Sequence, residues 1–331
     1  MQSVRIGYNL GSLLSMKQVL LFSKLADLSK DVDSLWVPES WGREAFSTLG
    51  AISQITNRVR IGTSVVSAFA RTPATVAMAA TTLDLLSDNR TIIGLGVSTE
   101  AIVEMWHGIT FSKPLLRMRE YVECLRQMIT GQKVNYSGTF FNIQNFKLLY
   151  KPPRCIIPIF MAALNKKMIS LSCAIADGVL LYLRPLEELK RTVAHIKSVT
   201  KNLDRQFEIA CVFIGALSNR EPEIARQRAA KTLAFYIAVG KYYNEFLSTN
   251  GYATEVHRIT GEYRLNGLDA ATKFVSAEML DSLTISGDSE QCIQSIRRFY
   301  ASGISLPIIQ VNPVGDSETS FREMLTTFPS A

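Results

Sequence analysis

Glu39-Ser40-Trp41 follows directly on an apolar, β-rich run, so an acid and a hydroxyl stand at the end of a strand, where a proton or a substrate can be held. Ser40 can orient a substrate but, with no base beside it, is a poor acid–base group. His107 lies between Trp106 and Gly108 in what reads as a loop after the fourth strand. An imidazole titrates around neutral pH and suits proton transfer there, though the same residue could simply bond the backbone of its own loop. The other two histidines, His195 and His257, fall in helical patterns and read as structural or exposed. Two strand ends carry small residues, Gly62-Thr63-Ser64 and Gly94-Leu95-Gly96-Val97-Ser98, which would let a flat ligand and its phosphate approach the backbone closely. Gly94-Leu95-Gly96 lacks the third glycine of a dinucleotide fingerprint, and no Walker-type loop is present. Trp36 and Trp41 fit either a core or, for Trp41, a ligand site.

These residues need a scaffold that brings strand ends together. Apolar runs at Val4–Tyr8, Ser34–Pro38, Val59–Val65, Thr91–Leu95, Ile157–Met161, Gly178–Tyr182, Phe207–Ile214 and Leu306–Val311 read as strands. Helical patterns follow most of them, at Met16–Lys30, Arg43–Gln54, Pro73–Leu86, Leu115–Thr130, Lys166–Ala176, Pro185–Asn202 and Glu290–Ala301. Near-continuous apolar strands separated by amphipathic helices indicate a parallel sheet covered by helices. Eight strands in this rhythm point to a closed (β/α)8 barrel rather than an open sheet. No Gly/Pro/Ser-rich linker interrupts the chain, so residues 1–331 are read as one domain. Two departures stand out: a hairpin in 132–151 turning at Ser137-Gly138, and a helical excursion over 221–282, between the seventh and eighth strands, with breaks at Gly240, Gly251, Gly261 and Gly267. Insertions of this kind roof the C-terminal face of barrels. The apolar stretch 233–247 suits either a subunit contact or core.

The chain has 331 residues, 47% hydrophobic and 20% charged, the composition of a globular protein with a large core. The net charge of +7 comes from dispersed Lys and Arg, which suits solvated helix faces, or attraction of an acidic cofactor or substrate, better than nucleic-acid binding. No apolar run approaches the roughly 20 residues of a membrane span. The start, MQSVRIGYNL, has a strand pattern rather than that of a secretory leader. Five scattered cysteines without a CxxC pair argue against a metal site or disulfide framework and fit a reducing cytoplasm.

Several segments together resemble the bacterial-luciferase-like superfamily, most closely its coenzyme F420-dependent oxidoreductases of the methylenetetrahydromethanopterin reductase type. They are Trp36-Val37-Pro38-Glu39-Ser40-Trp41, Gly62-Thr63-Ser64-Val65 with Arg71-Thr72-Pro73-Ala74, Leu83-Asp84-Leu85-Leu86-Ser87-Asp88-Asn89-Arg90 and Gly94-Leu95-Gly96-Val97-Ser98. Trp106-His107-Gly108, Pro158-Ile159-Phe160-Met161-Ala162-Ala163, Ala176-Asp177-Gly178 and Gly287-Asp288-Ser289-Glu290 complete the set in the family's order. The resemblance implies a luciferase-like barrel with the cofactor ring at the C-terminal strand ends. It also implies a non-proline cis peptide after the third strand, here Ser64–Val65, pressed against the back of the ring.

The same resemblance implies catalytic roles for Glu39, Ser40 and His107, with Ser40 standing where many F420 enzymes carry a proton-handling His. It implies cofactor contacts from Ser64, Val65, Ser67, Ala68, Val97 and Ser98. The phosphate site falls on Ala163, Leu164, Asn165, Lys167 and Met168, where helix amides face an anion and Asn165 caps. Arg184 would reach the cofactor tail or an acidic substrate. The implied activity is hydride transfer between F420 and a small organic substrate, with reduction of a C=C or C=N bond fitting the missing His. An FMN-dependent monooxygenase and a barrel that binds flavin without turnover are the alternatives. A homodimer is the expected assembly, with no metal, nucleic acid or membrane partner.

Overall fold

The computed structural model describes residues 5–328, so Val4, the first residue of the expected first strand, lies outside it. The strands run β1 (Ile6–Asn9), β2 (Val32–Val37), β3 (Arg60–Thr63) with a two-residue continuation β4 (Val66–Ser67), and β5 (Thr91–Gly96). An antiparallel hairpin, β6 (Val134–Ser137) and β7 (Asn142–Phe146), precedes β8 (Ile159–Ala162), β9 (Gly178–Tyr182) and β10 (Glu208–Leu217). A short β11 (Thr284–Gly287) and β12 (Leu306–Val311) complete the series. The parallel order β10-β12-β1-β2-β3-β5-β8-β9 closes through the β9–β10 pairing, giving the expected eight-stranded barrel.

Helices wrap the outside: α1 (Met16–Leu28), α2 (Ala45–Ser53), α3 (Pro73–Leu86), α4 (Glu100–His107), α5 (Pro114–Met128), α6 (Lys166–Ile175) and α7 (Leu186–Thr200). The excursion after β10 holds α8 (Pro222–Val239), α9 (Lys241–Leu247), α10 (Ala253–Thr272) and α11 (Ala277–Leu283); α12 (Ser289–Ala301) and α13 (Ser317–Thr327) follow. Helix starts are written in the sequence: Thr72 caps α3 ahead of Pro73, and Asp288 and Gln291 form a capping box on α12. Gly240, Gly251 (φ 102°) and Gly267 (φ 82°) do interrupt the excursion, but Gly261 does not, since its backbone continues the turn of α10. Two further elements depart from expectation. Segment 100–107 is a helix rather than a loop, capped by Thr99 and ended by left-handed Gly108. Strand β11 was not anticipated; it pairs with Ile214–Leu217, on the edge of β10 that β9 uses lower down.

Strand alternation sorts the core. Ile6, Tyr8, Leu35, Val37 and Ile61 face the helices, while Trp36, Ile92, Phe160, Leu180, Val212, Leu306 and Ile308 fill the lumen. At the N-terminal end, Arg5 and Arg60 pair with Asp33 and Glu208 around the floor. The excursion has its own buried cluster, in which Leu233, Ile237 and Leu247 show that the 233–247 stretch is core. No helix among the described residues is long and apolar enough to cross a membrane.

Candidate active site

Above the lumen plug, the strands end in a ring of different chemistry. Asn9 on β1 donates to Ser64 Oγ at 2.7 Å, and Ser64 N donates to Val37 O at 2.9 Å, so the residue after β3 is fixed from β1 and β2. The Ser64–Val65 peptide is cis, as the resemblance implied. Thr63 and Gly94 exchange two bonds of 2.8 Å, and a Cβ at residue 94 would stand 1.9 Å from Thr63 O. A Cβ at residue 96 would stand 2.5 Å from Val65 Cγ2. The glycines of Gly94-Leu95-Gly96 are therefore required by β3 and Val65; close approach of a phosphate is not what demands them. Val65, Ala162 and Tyr182 pack together on the plug and form a largely apolar floor.

On the far side, Tyr182 donates its hydroxyl to Gln310 Oε1 at 2.7 Å. Tyr236 of α8 and Tyr243 of α9 meet Tyr182 edge-on at 5.2 and 5.6 Å. Burial raises the Tyr182 and Tyr243 phenols well above the ordinary value, so both stay neutral. Asn9, Gln310, Tyr182 and Tyr236 were not anticipated as site residues. A signal existed for three of them: each is a polar residue ending an apolar, lumen-facing alternation, after Gly7, Ile308 and Leu180 respectively.

The expected site residues divide sharply. Ser64 and Val65 stand on the floor, with Val97 and Ser98 (φ 61°) on the adjoining loop after β5. Ser67 Oγ accepts from Phe69 N at 3.1 Å, and Ala68 is fully buried with its backbone bonded to Gly96 O and Arg117, so both shape the turn and offer little to a ligand. After β8, Asn165 Oδ1 accepts from Met168 N at 3.0 Å and caps α6 as expected, which uses the Met168 amide; the Met168 side chain is buried. Lys166 and Lys167 are exposed beside that cap, so the amide and ammonium donors of 165–167 remain for an anion.

Four expected residues stand differently from the expectation. Glu39 is fully engaged: its oxygens accept from Arg71 Nε and Nη2 at 2.8 and 2.7 Å and from Ala45 N at 2.9 Å, which anchors α2 and leaves a poor proton carrier. Arg184 is buried, pairing with Glu188 at 2.7 Å and donating to the carbonyls of Ala163 and Leu164, with Phe246 stacked 4.8 Å away. It holds the backbone that follows β8 from behind. His107 is the exposed last residue of α4, and Ser40 is exposed on the loop before α2. A sequence shows that an acid or arginine follows a strand, but not that a partner elsewhere has claimed it.

Comparison with known proteins gives the family and the fold. The luciferase-like monooxygenase family matches residues 30–306. A Mycobacterium tuberculosis protein provisionally named a coenzyme F420-dependent oxidoreductase is 30% identical, covering 84% of this chain and 86% of its own. The 5,10-methylenetetrahydromethanopterin reductase of Archaeoglobus fulgidus is 28% identical, with 92% of both chains covered. Among solved structures, the coenzyme F420-dependent tetrahydromethanopterin reductase of Methanopyrus kandleri superposes with a TM-score of 0.88 over 98% of each chain at 19% identity, which speaks to the fold. The chain belongs to the luciferase-like monooxygenase family of oxidoreductases.

Proposed function

We propose that the protein is an F420-dependent oxidoreductase that reduces a C=C or C=N bond of a small organic substrate. The observation that carries this reading is the apolar floor made by Val65 over Gly96 beside Ala162, at the mouth of a barrel whose relatives bear F420-dependent names. The residues present suit a deazaflavin: Val65 and Ala162 back the ring, Asn9 and Ser64 fix the backbone beneath it, and the Asn165–Lys167 helix start takes an anionic tail. When bound, the deazaflavin supplies the hydride, and the protein's part is orientation and exclusion of water. Glu39, tied to Arg71, and Ser40, open to solvent, provide no strong base for removing an alcohol proton. That favours reduction over alcohol oxidation. Titration with F420 and with FMN under the same conditions, read by fluorescence quenching, tests the cofactor; F420 is expected to bind more tightly, and tighter FMN binding would replace this reading with an FMN-dependent monooxygenase.

We also propose that two copies associate through α3. Met78, Leu85 and Leu86 are exposed on one face of that helix. The neighbouring segment, fixed to α3 by Tyr150–Thr81 and Arg154–Asp84 bonds, exposes Leu149 and Ile156. Light scattering should give twice the chain mass for the wild type and the chain mass for Leu85→Glu; a wild-type monomer refutes the assembly.

A further inference from the structure

Six aromatic rings run in continuous contact from the surface into the barrel. At the rim, Trp106 of α4 meets Trp41 of the loop before α2 with centroids 5.7 Å apart and planes at 89°, and both rings are 55% exposed. Trp41 meets Phe235 of α8 at 6.2 Å, Phe235 meets Tyr236 at 5.8 Å, and Tyr236 meets Tyr182 at 5.2 Å. Tyr243 closes against both tyrosines. All of these pairs meet edge to face, and Phe235, Tyr236, Tyr182 and Tyr243 are half-buried rather than sealed in the core. The elements that supply them (the β2–α2 loop, α4, α8, α9 and the end of β9) all follow barrel strands on the C-terminal side, where the floor of the site lies.

The polar atoms along this path are neutral: tyrosine hydroxyls and the Gln310 amide. The arginines at these strand ends are already engaged, Arg71 by the carboxylates of Glu39 and Glu44, Arg184 by that of Glu188, and Arg43 by the backbone carbonyls of Gly11 and Leu14. Glu104 of α4 accepts from Phe111 N at 2.9 Å. The exposed lysines, Lys166 and Lys167, stand at the start of α6, the place assigned to the cofactor tail. A phosphorylated or carboxylated substrate entering by the aromatic path would give up its hydration against rings, hydroxyls and an amide that carry no charge. An uncharged flat one would gain apolar and edge-to-face contact at each step.

We propose that this aromatic path admits and selects a neutral, planar, conjugated substrate, with Trp41 and Trp106 as its entry and the Tyr182–Gln310 pair as the polar contact at its inner end. The proposal rests on the reading above for the reaction but not for the ligand class. The test is calorimetric titration of the wild-type protein, without cofactor, with coumarin and with coumarin-3-carboxylate, which share a ring system and differ by one negative charge. Coumarin should bind, and the carboxylate should bind at least tenfold more weakly. The double variant Trp41→Ala/Trp106→Ala, which alters exposed rings, should lose at least tenfold in coumarin affinity while its melting temperature and its quenching titration with F420 stay unchanged. Equal or tighter binding of the carboxylate, no binding of coumarin, or full coumarin affinity in the double variant overturns the proposal. Coumarin binding by a protein that fails to bind F420 supports the ligand class and refutes the cofactor assignment separately.

Discussion

Val65 occupies the space that any side chain at residue 96 would need, with its Cγ2 only 2.5 Å from the position of a Cβ there. The glycine at the end of β5 thus belongs to the same device as the residue that follows β3. One strand gives up its side chain so that the residue after its neighbour can pack over it and on the apolar plug.

Gly96→Ala should therefore push Val65 off this floor. Overpacking of a close contact costs about 1–3 kcal/mol, and affinity for F420 should fall at least tenfold because the floor is displaced. Adding Val65→Ala removes the clashing methyl and should restore most of the stability but not the affinity. Denaturant unfolding and quenching titrations separate the two effects. Unchanged F420 affinity in Gly96→Ala would mean that Val65 does not support the ring.

Glu39→Gln tests whether this acid positions or transfers protons. The amide keeps the shape but loses the ionic bidentate pair with Arg71 and one acceptor for Ala45 N. A stability loss of about 1–3 kcal/mol is expected, and turnover should fall by the same factor at every pH. Disappearance of one limb of the pH–rate profile with stability intact would instead make Glu39 the proton carrier.

The barrel could be read from the sequence because its strands are short apolar runs that alternate with helices whose starts are chemically marked, as at Thr72-Pro73 and Asp288–Gln291. Segment 100–107 reads as a loop although Ile102, Val103 and Trp106 fall at helical spacing, because it spans only eight residues before Gly108 and buries Val103 alone. Strand β11 is four residues long and follows directly on α11, so no turn signal announces it. The site was harder. Glu39 and Arg71 lie 32 positions apart, as do many pairs that never meet, and nothing local says that the acid is already claimed. Arg184 misled for a related reason: it precedes α7, its partner Glu188 lies inside that helix, and its bonds to the Ala163 and Leu164 carbonyls exist only once β8 and β9 are side by side.

Arg184 and Lys167 should separate cleanly by mutation. Arg184→Ala leaves half-buried Glu188 with Thr192 as its remaining donor and frees the Ala163 and Leu164 carbonyls, which should cost about 1–3 kcal/mol, with loss of F420 affinity following from the loosened loop. Lys167→Ala alters an exposed side chain, so stability should stay within about 0.5 kcal/mol. Its F420 affinity should drop several-fold at low ionic strength and less at high, because salt screens an exposed charge. A salt-independent effect, or none, would place the anionic tail elsewhere.

The charged floor of the barrel gives the last expectation, an acid limb of stability. Burial opposes the charge on Asp33, but Arg60 and then Arg5 outweigh it and hold the carboxyl below its ordinary value of 3.8. A carboxyl whose folded pKa is depressed contributes stability that is complete above its unfolded pKa and is lost as pH falls through the folded one. Asp33→Asn should therefore be less stable than wild type at pH 7, by about 1–3 kcal/mol, with Arg60 still held by Glu208 at 2.9 Å to limit the loss. The difference should hold down to about pH 5 and close progressively below about pH 4 as wild-type Asp33 takes up its proton. Urea unfolding of both proteins between pH 7 and pH 2.5 measures it, and a gap that stays constant to the acid end would show that the Asp33 carboxylate is not stabilised by its two arginines.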